Sequence, residues 1–452
     1  MSSASTLRPT KPSLARAPST GASQRELDIE RREPRNLVVL ALYDIVVRIG
    51  WIFKTESVIM PAFLDAVAGA GWLRGCLLLV NRFGQSVPPL FFAPTLRRMR
   101  VKRRALVVWT FLMGLPFLVL AAAWSVVGKN PPWWMAAYFL LMYAFFSCCH
   151  GLNQLAYGTL QGKLIGVHRR GRLMAAALPV GSVLAIAFAW WLLGDWLRMP
   201  GEGFGYIFCF TGVCFVLASL TAMWVSEPAD APHANAEVLA ANDHIVSGSW
   251  RVLWHDRRFR RFAVVVAMAA TGTILFPHYQ ALAREQLGLS GANLMVWVVV
   301  QNAAVGVFGL IAGWLKDRYG ARLAVQLSIL GTAAAPILAV IVANLPRETA
   351  REWFWTVFIP LGMTPISLKS MMGYTLEISD VHDHPRYLST MSLCLALPFC
   401  LSPLVGWIVD LTSFEVVFCA GACVLLAGWL LSFRLAEPLH RAHPAVHLDQ
   451  TA

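Results

Sequence analysis

Twelve apolar runs, each about long enough to cross a bilayer, follow one another along this chain. They fall at about 37–64, 72–96, 105–127, 133–157, 173–197, 204–225, 262–283, 293–315, 323–343, 353–376, 387–409 and 416–433, and are numbered spans 1 to 12. A membrane-crossing helix needs about 20 predominantly apolar residues. Hydrocarbon offers no water to satisfy backbone N–H and C=O groups, so runs of this kind fold as helices. The chain is therefore read as an all-α membrane protein. Its charged residues make up only 14% of the total, against about 25% in ordinary soluble domains.

The net charge of +13 raises the question of nucleic acid. The basic residues are instead scattered through alternate short gaps: Arg97 to Arg104, Lys163 to Arg172, Arg257 to Arg261, and Lys316 to Arg322. That is the pattern of the positive-inside rule, which places both termini in the cytoplasm. The lipid bilayer is the expected partner, and no nucleic acid. All nine cysteines lie in apolar spans without the spaced pairs that a zinc site needs, so no metal and no cofactor are expected. Residues 1–35 read as a disordered cytoplasmic tail without a signal sequence, and residues 439–452 as a second tail. A linker over 226–261 separates two bundles, 36–225 and 262–438, and its stretch 249–259 reads as an amphipathic surface helix.

Between spans 8 and 9 stands Gly313-Trp314-Leu315-Lys316-Asp317-Arg318-Tyr319-Gly320-Ala321-Arg322. Gly313 suits a close helix approach and Gly320 a turn with positive φ. Asp317 is an acceptor for arginines or for a helix N-terminus, and Arg318 and Arg322 hold the turn in the aqueous layer. Set between two apolar spans, this stretch resembles the G-x-x-x-D-R-x-G-x-R/K signature of the major facilitator superfamily in its second-half position. The resemblance implies twelve helices in two six-helix bundles, a solute site between the halves near the midplane, and spans 1, 4, 7 and 10 lining it. It also implies a gating role for Gly313, Asp317, Arg318, Gly320 and Arg322. A weak internal repeat agrees: span 6 ends at Ser226-Glu227-Pro228 and span 12 at Ala436-Glu437-Pro438.

The first-half copy of that loop, from Pro94 to Arg104, keeps the basic residues but lacks the glycines and the aspartate. In the family this loop is held to stabilise the outward-facing state, so gating is expected to differ here. Span 5 lacks the G-P-x-x-G-G pattern of the drug antiporters, which counts against proton-driven drug efflux as the alternative function.

Charged groups inside a span are costly and are functional candidates. Counting about 1.5 Å per residue from Arg35 puts Asp44 about 13 Å and Arg48 about 20 Å deep, with Lys54 and Glu56 near the outer edge. Asp44 and Arg48 are four residues apart on one helix face. Arg82, flanked by Asn81 and Gln85 in span 2, is a second partner for Asp44. His150 and Asn153 in span 4, His278 and Gln280 after Pro277 in span 7, Asn302 in span 8 and Lys369 in span 10 complete the set. The excess of interior cations favours an anionic or polar organic solute. Asp44 with the histidines is the expected proton-coupling group. The chain is thus expected to be a monomeric secondary transporter of a small molecule in a bacterial cell membrane, not an enzyme. A transporter-like receptor or scaffold is the alternative of another class.

Overall fold

The computed structural model describes residues 20–127, 131–199, 203–229, 252–289, 291–379 and 383–436, which are helical almost throughout. Among the described residues, nine helices are long and apolar enough to cross a membrane, and they match spans 3 to 9, 11 and 12. Spans 1, 2 and 10 complete the twelve. Span 1 is Thr20–Ile52 continued by Ile59–Val67, and span 2 is Gly71–Arg98. Span 10 is a broken run of Phe354–Val357, Phe358–Leu361 and Met363–Ile378. These three carry Arg48, Arg82 and Lys369. These three spans are shorter or less apolar than the other nine, and each holds an interior cation.

The halves repeat one packing plan. Span 3 packs on 6, span 2 on 4, and span 1 on 5 and 6; in the second half span 9 packs on 12, span 8 on 10, and span 7 on 11 and 12. Four spans break midway. Span 1 is interrupted between Ile52 and Ile59, and span 7 at Leu275, next to Pro277. Span 10 breaks at Gly362, between Pro360 and Pro365, and span 11 has a 3-10 turn, Leu397–Leu401, that contains Pro398. Proline removes a backbone donor and ends regular helix. At membrane depth such breaks are tolerated where they are buried in protein or line a cavity.

Several expectations change. The first helix begins at Thr20, inside the stretch read as a tail, and Glu33 ties it to the neighbouring gap by accepting from Gly166 N (2.8 Å) and Arg169 (3.1 Å). Residues 1–19, 230–251 and the tail 439–452 lie outside the described residues. The expected surface helix over 249–259 is cut at Asp256, whose carboxylate accepts from the amides of Arg258 and Phe259 and so caps span 7. Between spans 8 and 9 only Gly320 is non-helical, with φ 95°, so it takes the positive φ expected of it. A Cβ on Gly313 would meet nothing within 4 Å, so that glycine makes no close approach. Arg322 donates to the Phe433 carbonyl (2.6 Å), and Arg318 lies 5.8 Å from the Trp314 ring. The Asp317 side chain lies outside what is described.

The first-half loop without an aspartate is held by Glu227, from the end of span 6. Glu227 accepts from the Arg103 backbone amide (2.6 Å) and pairs with Lys163 (2.5 Å), and its side chain is fully buried. Breaking a buried pair from one side costs about 3–5 kcal/mol. Glu227→Ala is expected to cost about 3 kcal/mol, the low end, because the Lys163 ammonium can reach water. The check is a lower apparent melting temperature of the purified protein.

Candidate functional site

The four helix breaks converge on one cavity of about 330 Å³ between the halves. Thr55, Glu56 and Ser57 come from the break in span 1, Thr273 and Phe276 from span 7, Thr364 and Pro365 from span 10, and Phe399 from span 11. Open backbone and a polar lining thus occur together, as they must inside a membrane.

Arg48, Arg82 and Lys369 line this cavity, and Lys369 lies within electrostatic reach of Arg48. Glu56 is the one carboxylate in the lining, and it already pairs with Lys54 at 2.8 Å. No ion pair of Arg48, Arg82 or Lys369 is found among the described residues. Arg82 Nε, Thr364 Oγ1 and Ser367 Oγ are buried without a hydrogen-bond partner among them. The Arg82 guanidinium sits 5.7 Å from the Phe399 ring of the opposite half. Cationic donors and hydroxyls therefore face apolar rings across a cavity of small-molecule size.

The end of the bundle opposite the basic loops is sealed. Ser57 Oγ donates to Gln301 Oε1 (2.5 Å) at the cavity roof. Beyond it, Arg74 forms an ion pair with Asp65 (2.9 Å) in its own half and a hydrogen-bonded one with Glu285 (2.9 Å) in the other, while Arg284 approaches Asp65 at 3.5 Å. The Gly71 amide donates to Asp410 (2.8 Å). A Cβ on Gly75 would overlap the Ser402 carbonyl, and one on Gly406 the Gly71 carbonyl, so spans 2 and 11 touch backbone to backbone. A larger recess of about 510 Å³, lined by Trp124, Trp196, Gln280 and Arg284, lies outside this seal. Its Arg284 already faces two carboxylates. The central cavity is the better site.

Of the residues singled out in the sequence, Arg48, Asn81, Arg82, Gln85, Asn302 and Lys369 come together in the cavity lining. Gln85 donates to Asn81 across one helical turn. The others lie elsewhere. Asp44 accepts from Tyr157 Oη, and no contact joins it to Arg48 or Arg82 among the described residues. Asn153 bonds Tyr43 (2.9 Å) and Thr110 (2.6 Å), tying spans 1, 3 and 4 together. His150 bonds Gln154 and packs against Trp51 at 4.6 Å. His278 is fully buried, and Gln280 faces the recess outside the seal. The kink at Pro277 therefore turns both away from the centre.

A count along a straight helix misplaces Glu56. Lys54 is fully buried within the protein, with its ammonium 3.5 Å from the Trp51 ring centroid. The break after Ile52 leaves Glu56 in the cavity lining with Lys54 paired to it. No local signal marks that break, since it contains neither glycine nor proline. Ser57, Thr364 and Ser367 carry no signal either, because small hydroxyls in a span most often serve helix contacts.

A model of the Major Facilitator Superfamily matches residues 55–367 and 264–449. A cis,cis-muconate transport protein of Acinetobacter baylyi is 22% identical over 198 residues, which covers 42% of this chain and 46% of that protein. The match thus spans about half the length of the curated relative. The nucleoside transporter NupG superposes with a TM-score of 0.65 at 11% identity, covering 88% of this chain and 98% of that one. A D-xylose-proton symporter gives 0.65 at 12%, covering 88% and 98%. The E. coli fucose:proton symporter FucP gives 0.59 at 11%, covering 90% and 100%. At such identities the likeness is one of fold.

Proposed function

The chain belongs to the major facilitator superfamily, and we propose that it carries an organic anion across the membrane by alternating access, driven by protons. It is an integral, multi-pass membrane transporter of a small molecule. In this reading the basic end faces the cytoplasm of a bacterial cell, the sealed end faces outward, and the arrangement seen is the inward-facing one. A single chain suffices.

The observation that carries the reading is the charge of the central cavity. Arg48, Arg82 and Lys369 face one carboxylate, Glu56, which is already paired with Lys54. A cation in the middle of a membrane helix costs about 2.5–3.5 kcal/mol by insertion scales. Three in one cavity are best explained by an anionic cargo that offsets them. The aromatic lining of Trp51, Phe276 and Phe399 suits an unsaturated carbon body. The muconate transport protein, a relative by sequence, supports an organic acid as the class.

The test is ligand-induced thermal stabilisation of the purified protein, since a ligand that binds the native state alone raises the apparent melting temperature. Muconate is expected to stabilise wild type, while xylose and uridine do not. Arg82→Gln is expected to weaken the response about tenfold or more, because a hydrogen bond to a charged group contributes about 1.5–3 kcal/mol. Stabilisation by the neutral solutes and by no organic acid would refute the reading.

A further inference from the structure

We infer that Glu56 is the group that carries the proton together with the anion. This rests on the anion-transport reading given above. Glu56 is the one carboxylate lining the cavity, and its two oxygens are used unequally. Lys54 Nζ (2.8 Å) and Tyr143 Oη (2.7 Å) both donate to Oε1. No donor to Oε2 is found among the described residues.

Lys54 is enclosed by aromatic rings as well as by Glu56. Its ammonium lies 3.5 Å from the Trp51 ring centroid and 4.7 Å from that of Phe146, and 3.3 Å from Tyr143 Oη. Cation–π contact and the carboxylate offset part of the loss of water. Two donors thus hold Oε1, and Oε2 belongs to a residue that lines the cavity and has no donor of its own among the described residues.

The charged and titratable groups that face Glu56 come from several spans. Lys54 shares its segment, Tyr143 comes from span 4, and Arg82 from span 2 lies within electrostatic reach. Arg48 and Lys369 share the same cavity from spans 1 and 10. From span 8 the cavity receives Gln301 and Asn302, which do not titrate. His150 of span 4 stands behind Trp51 and bonds Gln154.

An anion that enters to reach Arg82 therefore meets a second negative charge on Glu56. A proton taken from solution onto Oε2 removes that repulsion. The same O–H then donates a hydrogen bond to the solute carboxylate, so the acid form and the loaded cavity stabilise one another. One proton enters with each solute, so a dianion such as muconate moves with one net negative charge; Lys54 and Tyr143 keep their bonds to Oε1, and the proton leaves when the solute does. By linkage, the proton favours solute binding by the same factor that the solute favours the proton. Asp44, bonded to Tyr157 and away from the cavity lining, has no such contact with cargo.

The experiment uses the full chain in proteoliposomes at zero membrane potential, with labelled cis,cis-muconate as probe, and compares wild type, Glu56→Gln and Glu56→Asp. One coupled proton makes a one-unit inward pH gradient raise wild-type accumulation about tenfold. Whatever its remaining rate of muconate exchange, Glu56→Gln, with its fold checked by an unchanged size-exclusion profile, is expected to lose the tenfold stimulation. Glu56→Asp is expected to regain part of it. Gradient-driven accumulation by Glu56→Gln equal to wild type would overturn the inference. Wild-type uptake indifferent to the gradient would overturn the inference and leave the anion reading standing. A wild type that moves no muconate under any condition would overturn both.

Discussion

Gly75→Leu is expected to reduce solute uptake to background while leaving the protein folded. Spans 2 and 11 meet backbone to backbone at the sealed end, and a Cβ on Gly75 would overlap the Ser402 carbonyl. Overpacking a tight contact costs about 1–3 kcal/mol. This contact joins the halves, so the protein escapes the clash by leaving that end open, without unpacking either bundle. Each 1.4 kcal/mol is a factor of about ten, so the open form gains up to about a hundredfold. The check is alkylation of a cysteine placed at Ser57, on the cavity roof, by a membrane-impermeant reagent. Labelling from the outside should rise sharply in Gly75→Leu. Unchanged labelling together with normal uptake would show that the contact is dispensable.

Arg74→Met is expected to open the same end by an electrostatic route. The side chains of Arg74 and Asp65 are each only 1% exposed, and Arg74 also reaches Glu285 across the seam. Removing one partner of a buried pair costs about 3–5 kcal/mol, most of it the penalty of an uncompensated charge. Arg284, at 3.5 Å from Asp65, recovers part of that. Opening lets water reach Asp65 and relieves the rest, so the loss appears as a shift of conformation more than as unfolding. The double variant Asp65→Asn with Arg74→Met should restore closure, because exchanging both charges for neutral groups is close to neutral. No charge change should rescue Gly75→Leu. The pair of variants thus separates the steric seal from the ionic one.

The fold is readable in the sequence because a bilayer permits so few solutions. Length, apolar run and basic gaps set twelve helices before any side chain is considered. The cations of the site are readable for a related reason: Arg48, Arg82 and Lys369 are too costly in hydrocarbon to be incidental, and all three reach one cavity. What fails is geometry that depends on where a helix stops. Glu56 sits in a break that contains no glycine or proline, so a uniform rise carries it to the surface. His278 and Gln280 follow a proline that marks a kink without giving its direction. Asp44 finds Tyr157 of span 4 instead of an arginine on its own face. Such pairings are set by which helices touch, and spacing along one helix does not contain that information.

The cavity also explains how one sealed end and one polar centre belong to a single device. Ser57 bonds Gln301 across the seam at the roof, next to Glu56. Opening the sealed end must break that bond and separate the Arg82 guanidinium from the Phe399 ring of the other half. A solute that draws Arg82 and the second-half hydroxyls toward itself takes over the role of those contacts. It thus couples occupancy to the position of the halves.

The central claim is that the cavity selects an organic anion through its cations, and direct binding tests it most simply. Isothermal titration of the purified protein with muconate and with its neutral diamide should give binding for the dianion alone in wild type. Arg82→Gln and Lys369→Gln should each weaken it by about tenfold or more. Equal binding of diamide and dianion, or affinity for the dianion untouched by both substitutions, would contradict the account.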